Sequence, residues 1–560
     1  MTSREDAVFD TGKLRAATDE TDARQLRRVV VASAAGTTFE WYDFFIFGSL
    51  ASIIAKRFFT GVDETSGFIF ALLVFAAGFA VRPLGALVFG HVGDRLGRKG
   101  AFIVTISLMG LATFAIGLLP TFDQVGIAAP ILLVALRICQ GFAIGGEYGG
   151  AAIYVAEHAK AGRRGYLTSW IQTSAAFGLG GALIVILVTR TAMGEEAFTD
   201  WGWRIPFLLS IGLFALSLWI RLKLEESPLF RRIQARGEIA KSPLAESFFQ
   251  WRNLRIVLVV LFALMAAQGT VWYSAYFYGQ FFLERVLKVE PATVNGLLLI
   301  VVAVSAVLYV FFGWLSDYIG RKPPMVAGML VAAVTFFPGF QYLTGAANPK
   351  LAEASRSAPV VVIADPGGCS FQFDPIGRAE FTSACDIAKR SLATAGVSYR
   401  NETASVGSPV VVRIGAAEIA IEDDAAPATA LERRRLAEAK IRETLIAAGY
   451  PERADPALVN RVGVLAVLIW FIACATALYG PLAAALVELF PTRIRYTALS
   501  LPYHIGTGWF GGFMPATAFA IVAATGNIYA GLWYPVIVAG VSFVLAMIFL
   551  PETKDRNIDV

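Results

Sequence analysis

Long apolar runs dominate the chain, separated by short polar stretches. They predict membrane-crossing helices near 29–55, 66–90, 101–119, 127–156, 166–190, 204–222, 254–283, 293–316, 324–344, 459–487, 496–523 and 528–550. Each run can cross a hydrocarbon core of about 30 Å as a helix. In lipid, backbone polar groups must be satisfied within the chain, so helices rather than irregular segments are expected.

The polar stretches carry a repeat. GHVGDRLGRK, Gly90 to Lys99, separates the second and third runs, and GWLSDYIGRK, Gly313 to Lys322, separates the eighth and ninth. Gly, Asp, Gly, Arg and Lys recur at one spacing, with Leu96 matched by Ile319 and Gly93 by Ser316. An internal repeat of this kind divides the chain into two related halves. A second polar signature follows each loop: Glu157 with Arg163, Arg164 and Gly165, then Glu488 with Pro491, Arg493 and Arg495. The stretch from loop to signature is much longer in the second half, which predicts an insertion there.

The insertion is visible at 345–457. It contains APVVVIADP, FTSACDIAKRSLATAG, SPVVVRIGAAEIAIEDD and ATALERRRLAEAKIRETLIAAGY. These read as a strand, a helix, a strand pair and a charged amphipathic helix. The fold class is therefore an all-α membrane protein of twelve helices with a small soluble α+β insert between helices nine and ten.

Composition agrees. The chain is 56% hydrophobic and 16% charged, against about 25% charged in soluble domains. Residues 1–28 are polar and mixed in charge, unlike a cleavable signal peptide. Lys and Arg concentrate in 1–28, 95–99, 160–164, 221–255, 321–322, 493–495 and 554–556. By the positive-inside rule these segments and both termini are cytoplasmic, and the insert is outside. The net charge of +5 is thereby topogenic and needs no nucleic acid. The expected organisation is a tail 1–28, a first bundle 29–222, a linker 223–253, a second bundle 254–344 and 458–550, and a tail 551–560. Cys369 and Cys385 both lie in the insert, where an oxidising exterior permits a disulfide. No metal-ligand set or Ser/His/Asp set occurs in the insert, and His91, His158 and His504 lie outside it. An enzyme is not expected, nor a metal or cofactor.

Charge within apolar runs is costly unless it is paired or faces a cavity, so it marks function. Glu40 and Asp43 fall near mid-span in the first run and Arg137 near mid-span in the fourth, while Arg82 in the second lies about 12 Å from the inner face and Glu147 in the fourth lies nearer the cytoplasm. A buried carboxylate can carry a proton, and Arg offers a bidentate seat for a substrate carboxylate. Glu40 and Asp43 are thus candidates for proton coupling, and Arg82 and Arg137 for anion binding. Mutual neutralisation of these charges is the structural alternative. In the seventh run Trp272 and Tyr276 share a face and are candidates for lining a cavity. Gln268, Tyr273, Tyr503 and His504 are further polar groups in the second half.

The loops resemble the paired signature loops of the major facilitator superfamily. EESPLF at 225–230 and PETK at 551–554 resemble motifs of its sugar-porter branch. FEWYDFFIFG (39–48), RPLGALVFGHVGDRLGRK (82–99), LRICQGFAIGGEYGGAAIYVAEHA (136–159) and RRGYLTSWIQ (163–172) are similar to the metabolite:proton symporter family. That resemblance implies two six-helix bundles working by alternating access in a bacterial inner membrane, driven by protons. It implies organic acids or zwitterions such as proline and betaine as substrates, and maps the family's membrane charges onto Glu40, Asp43, Arg82, Arg137 and Glu147. It also implies gating by the loops, with Asp94, Arg95, Arg98, Glu147, Asp317 and Arg321 closing the inner face against neighbouring helix starts. The expected substrate is a small mono- or dicarboxylate carried with a proton, by a monomer. A zwitterion, a sugar, or a sensor using the insert are the alternatives. The insert departs from the family pattern, and the short C-terminal tail disfavours the betaine reading.

Overall fold

A computed structural model describes the chain apart from residues 1–29, 32, 61–69, 72–73, 75–76, 97, 147, 161, 223–230, 232–233, 237–239, 371–382, 422–429 and 559–560. The tail expected at 1–28 and part of the linker therefore lie outside the described residues. Span one comprises 33–49 and Ala51–Phe58, and span two comprises 77–80 and Arg82–Leu96. Span three is Arg98–Leu118, span four Ala128–Ile144 continued by Tyr148–His158, span five Arg164–Met193 and span six Arg204–Leu222. Span seven is Trp251–Val286, span eight Pro291–Ile319, span nine Lys322–Ala347, span ten Arg461–Leu489, span eleven Arg495–Val522 and span twelve Ala530–Phe549. Spans three to twelve are, among the described residues, ten helices long and apolar enough to cross a membrane.

The burial pattern is that of a membrane bundle. Large apolar side chains such as Ile131, Val307, Val334 and Val541 point outward, while Thr113, Gln140, Thr168 and Gln172 are buried. Lipid takes the apolar faces, so polar groups collect where helices can satisfy them. The two halves meet along two long crossings, span five on span eight and span two on span eleven. At Gly165 a Cβ would lie 2.4 Å from the Gly313 carbonyl oxygen, so this crossing requires the small residue.

Spans seven and eleven are irregular. Span seven winds with π geometry at Val260–Met265, Ser274–Tyr278 and Phe282–Val286, and span eleven at Gly506–Gly512. The apolar pattern did not predict these wider turns, which commonly mark functional segments.

Between spans nine and ten lies a four-stranded sheet with strands β1 Val360–Ala364, β2 Tyr399–Thr403, β3 Val410–Ile414 and β4 Ala417–Ile421, in the order β2-β1-β3-β4. β1 pairs in parallel with β2 and antiparallel with β3, and β3 pairs antiparallel with β4. Gly415, at φ +57°, makes the tight β3–β4 turn. Helices Ala384–Ala395 and Ala430–Ala447 pack on each other and on the sheet. Ser383 caps the first of these by accepting from the Asp386 N–H at 3.1 Å. The β2 strand was not expected. Its sequence YRNET buries only Tyr399, because it sits at the sheet edge. Cys369 and Cys385 are disulfide-bonded, with Cα atoms 5.3 Å apart.

Candidate functional site

Span two breaks at Val81 and resumes at Arg82. Pro83 has no N–H to give to Phe79, so the helix cannot run through unbroken. Span four presses on this break. A Cβ at Gly141 would lie 1.7 Å from the Gly78 carbonyl oxygen, and one at Gly145 would lie 2.3 Å from that of Arg82. This close approach brings Arg137, one turn before Gly141, beside Arg82.

Both arginines are fully buried and share an aromatic surround. The Arg82 guanidinium carbon lies 4.4 Å from the Phe44 ring centroid and 4.1 Å from that of Phe79. That of Arg137 lies 4.9 Å from Phe44 and 4.4 Å from Phe47. Arg137 donates to Gln140 at 2.7 Å, and the Gln140 amide donates to the Thr113 hydroxyl at 2.7 Å. Thr113 stands within reach of Asp43. Tyr273, Tyr479 and Tyr503 surround Arg82, and the Tyr479 and Tyr503 hydroxyls are bonded at 2.6 Å. His504 is also beside Arg82. The Asp43 Oδ1 and the Arg82 Nε and Nη2 are buried with no hydrogen-bond partner among the described residues. Two cations and one carboxylate thus converge, with donor capacity left over. Buried donors left unbonded are costly, so this arrangement is suited to an incoming anion.

Other expected residues lie elsewhere. Glu40 is three residues from Asp43 but forms a buried ion pair with Arg221 of span six. Three residues rotate a helix by about 300°, and that offset turns the two acids to different neighbours. Trp272 and Tyr276 face span eight, where they donate to Tyr309 at 2.6 Å and Ser305 at 2.7 Å. Tyr273, about 100° further round the helix, faces the arginines instead. A helical-face count alone could not choose between them. Glu147 lies outside the described residues.

The repeated loops form a second constellation, with Asp94 about 18 Å along span two from Arg82. Asp94 accepts from the Thr497 N–H at 2.9 Å and hydroxyl at 2.7 Å, at the start of span eleven. Asp317 accepts from the Gly165 and Tyr166 N–H groups at 2.9 and 2.8 Å, at the start of span five. First-turn N–H groups lack partners within the helix and carry its positive end, so a carboxylate suits them. Arg321 bonds Asp317 at 2.6 Å and Glu488 at 3.1 Å. Burial alone would lower the Arg321 pKa, but Glu488 and Asp317 raise it above the usual value. Arg164 stands 3.8 Å from Glu488, and Arg495 bonds Glu157 at 3.0 Å. Arg95 is exposed rather than part of this buried layer, because its place in the repeat is the outward one that Tyr318 fills in the second loop. The Arg98 side chain lies outside the described residues. The C-terminal tail crosses the same layer, with Thr553 bonded to Glu488 at 2.8 Å and the Ile558 carbonyl accepting from Arg495 at 2.8 Å.

The family model described as "Sugar (and other) transporter" matches residues 29–248 and 444–559. The chain belongs to this family, within the major facilitator superfamily. It is a multi-pass membrane transporter rather than an enzyme. Among its relatives, a putative metabolite transport protein of Haemophilus influenzae is 31% identical over 539 residues, 95% of each chain. A proline/betaine transporter of Escherichia coli K12 is 34% identical over 356 residues, 61% of this chain and 67% of its own. A shikimate transporter of the same strain is 37% identical over 322 residues, 57% of this chain and 72% of its own. The fold of this transporter is that of the proton:xylose symporter XylE, at a TM-score of 0.59 and 16% identity, covering 96% of this chain and 98% of that one.

Proposed function

We propose that the transporter is a proton-coupled symporter of a small organic acid, a mono- or dicarboxylate. It would sit in a bacterial inner membrane with both termini and the repeated loops cytoplasmic and the insert outside. The observation that carries this reading is the buried Arg82 with two guanidinium nitrogens unbonded among the described residues, beside Arg137. A substrate carboxylate seats between the two guanidiniums, where charge-assisted bidentate bonds are strong in a low dielectric. Asp43, linked to Arg137 through Thr113 and Gln140, carries the proton. Protonation there removes its negative charge, which leaves the arginine pair to the substrate. Glu40 holds spans one and six together through Arg221 and is not a coupling group in this reading. Tyr273, Tyr479 and Tyr503 join the arginines as substrate contacts. Trp272 and Tyr276 act behind them, against span eight.

Alternating access then requires the inner face to open, which breaks the Asp94 and Asp317 contacts. A zwitterion is the second reading, supported by the relatives that are proline/betaine transporters and by a carboxylate, Asp43, near the arginines. Labelled carboxylates offered to vesicles with an imposed inward proton gradient test the first reading. Uptake independent of the gradient overturns coupling. Active transport retained in Asp43→Asn and Arg137→Gln overturns the site. Competition by proline or betaine, and not by carboxylates, decides for the zwitterion.

A further inference from the structure

The span-seven end near the insert is held in an unusual way. After the π turn Phe282–Val286, the chain reverses through Lys288, which has φ +57°. That conformation is costly for a non-glycine residue, so neighbouring contacts must hold it. The insert supplies them. Ala454 donates its N–H to the Lys288 carbonyl at 3.0 Å, and the Asn348 side chain donates to the Leu287 carbonyl at 3.0 Å. Gly396 lies so close that a Cβ there would be 2.3 Å from the Val286 carbonyl oxygen. The same insert also grips the turn between spans eleven and twelve. Tyr399 donates its N–H to Gly526 at 2.8 Å, and Ser398 accepts from Ile528 at 3.2 Å.

Just inside this anchored end, span seven meets the other half of the molecule. Arg285 donates to the Ser52 hydroxyl of span one at 2.8 Å. Glu284 accepts from Gln280 at 3.0 Å and lies within electrostatic reach of Arg190 of span five. Arg190 in turn pairs with Glu195 at 3.1 Å. None of these groups takes part in the arginine site or the loop layer.

We propose that the insert is a brace for a second gate: it fixes the end of span seven so that Arg285 and Glu284 close the insert-side mouth against spans one and five. The proposal goes beyond the symport reading and needs only that the chain is an alternating-access transporter. Gate opening requires the Arg285–Ser52 contact to part while the insert keeps Leu287 and Lys288 in place. The insert therefore sets how readily this mouth opens, without touching the substrate.

The test is made on the full-length protein in detergent, so it is independent of orientation and substrate. Cys139 and Cys474 are replaced by Ala, and Ser49→Cys, one turn below Ser52 on span one, reports access to a hydrophilic maleimide. Asn348→Asp keeps the cap that its oxygen gives to Leu351 but cannot donate to Leu287. Losing one such hydrogen bond is expected to raise labelling about fivefold. Arg285→Ala is expected to raise it at least as much, and Arg285→Lys to restore the parent rate. Unchanged labelling in Asn348→Asp overturns the brace, and unchanged labelling in Arg285→Ala overturns the gate. Faster labelling in a protein that moves no carboxylate leaves this proposal standing and removes the symport reading instead.

Discussion

In the first repeated loop Asp94 reaches Thr497 at the start of span eleven, and in the second Asp317 reaches Gly165 and Tyr166 at the start of span five. Each aspartate crosses from its own half to the other, and each caps a helix N-terminus. The donors differ: Asp317 accepts from two successive N–H groups, Asp94 from the N–H and the hydroxyl of one residue. The second loop sits in a buried network of Arg321, Glu488, Arg164 and the C-terminal tail. The first faces the Tyr496 ring, against which Gly93 is packed, and Arg495, next to Tyr496, pairs with Glu157. The repeat thus preserves a carboxylate contact to a helix start, while the donors that meet each aspartate differ between the halves.

The comparison breaks first at Arg321. Arg321→Ala leaves Asp317 and Glu488 buried without this cation, and removing one partner of a buried pair costs about 3–5 kcal/mol. A large fall in the thermal midpoint of the purified protein is expected, and no fall would show the second interface is not held by charge. Asp317→Asn and Asp94→Asn sharpen the contrast. Both keep an acceptor for the helix start, and Asp317→Asn loses the Arg321 ion pair. The loss is expected to be about 1–3 kcal/mol for Asp317→Asn and about 1 kcal/mol for Asp94→Asn. In transport assays Asp94→Asn should slow turnover and leave KM near the parent value, and a selective rise in KM would count against a gating role. Thr497→Val removes the hydroxyl donor and keeps the N–H donor, so about 0.5–1.5 kcal/mol is at stake. Equal effects of Thr497→Val and Asp94→Asn would place the cap's strength in the hydroxyl alone.

The smallest effect concerns pH and the tail. Burial alone would raise the Glu552 pKa, but the N–H groups of Arg321, Lys322, Lys554 and Thr553 hold it below its usual 4.5. A depressed carboxylate contributes stability above the unfolded value, lost as pH falls through the folded one. Tail docking should therefore be intact at neutral pH and weaken below 4.5. Hydrogen exchange at the Lys322 amide reads this, and exchange unchanged down to pH 3 would dismiss Glu552 as its anchor.

The spans, the repeat and the insert's place were legible because burial in lipid imposes long apolar runs and because a repeat preserves spacing. Arg82, Arg137 and Asp43 stood out because charge is rare in such runs. Glu40 stood out for the same reason, yet its partner Arg221 lies at the far end of span six, and nothing in the sequence links the two. Tyr273 went unchosen because its neighbours Trp272 and Tyr276 look equally suited to a cavity wall. The β2 strand went unread because an edge strand buries one face weakly and shows little alternation.

By itself the sequence determined that this chain is a bundle of membrane-length helices, where its repeated loops and its insert lie, and which charges must find partners there. These follow from composition and spacing, which are local and additive. Only the tertiary structure decided which partner each charge found, that Asp94 and Asp317 cap helices of the opposite half, and that the insert grips spans seven and eleven. Those outcomes depend on close approach at Gly141, Gly145 and Gly165 and on π turns in two helices. A single substituted methyl group at such a crossing would change them, and no periodicity in the chain records it.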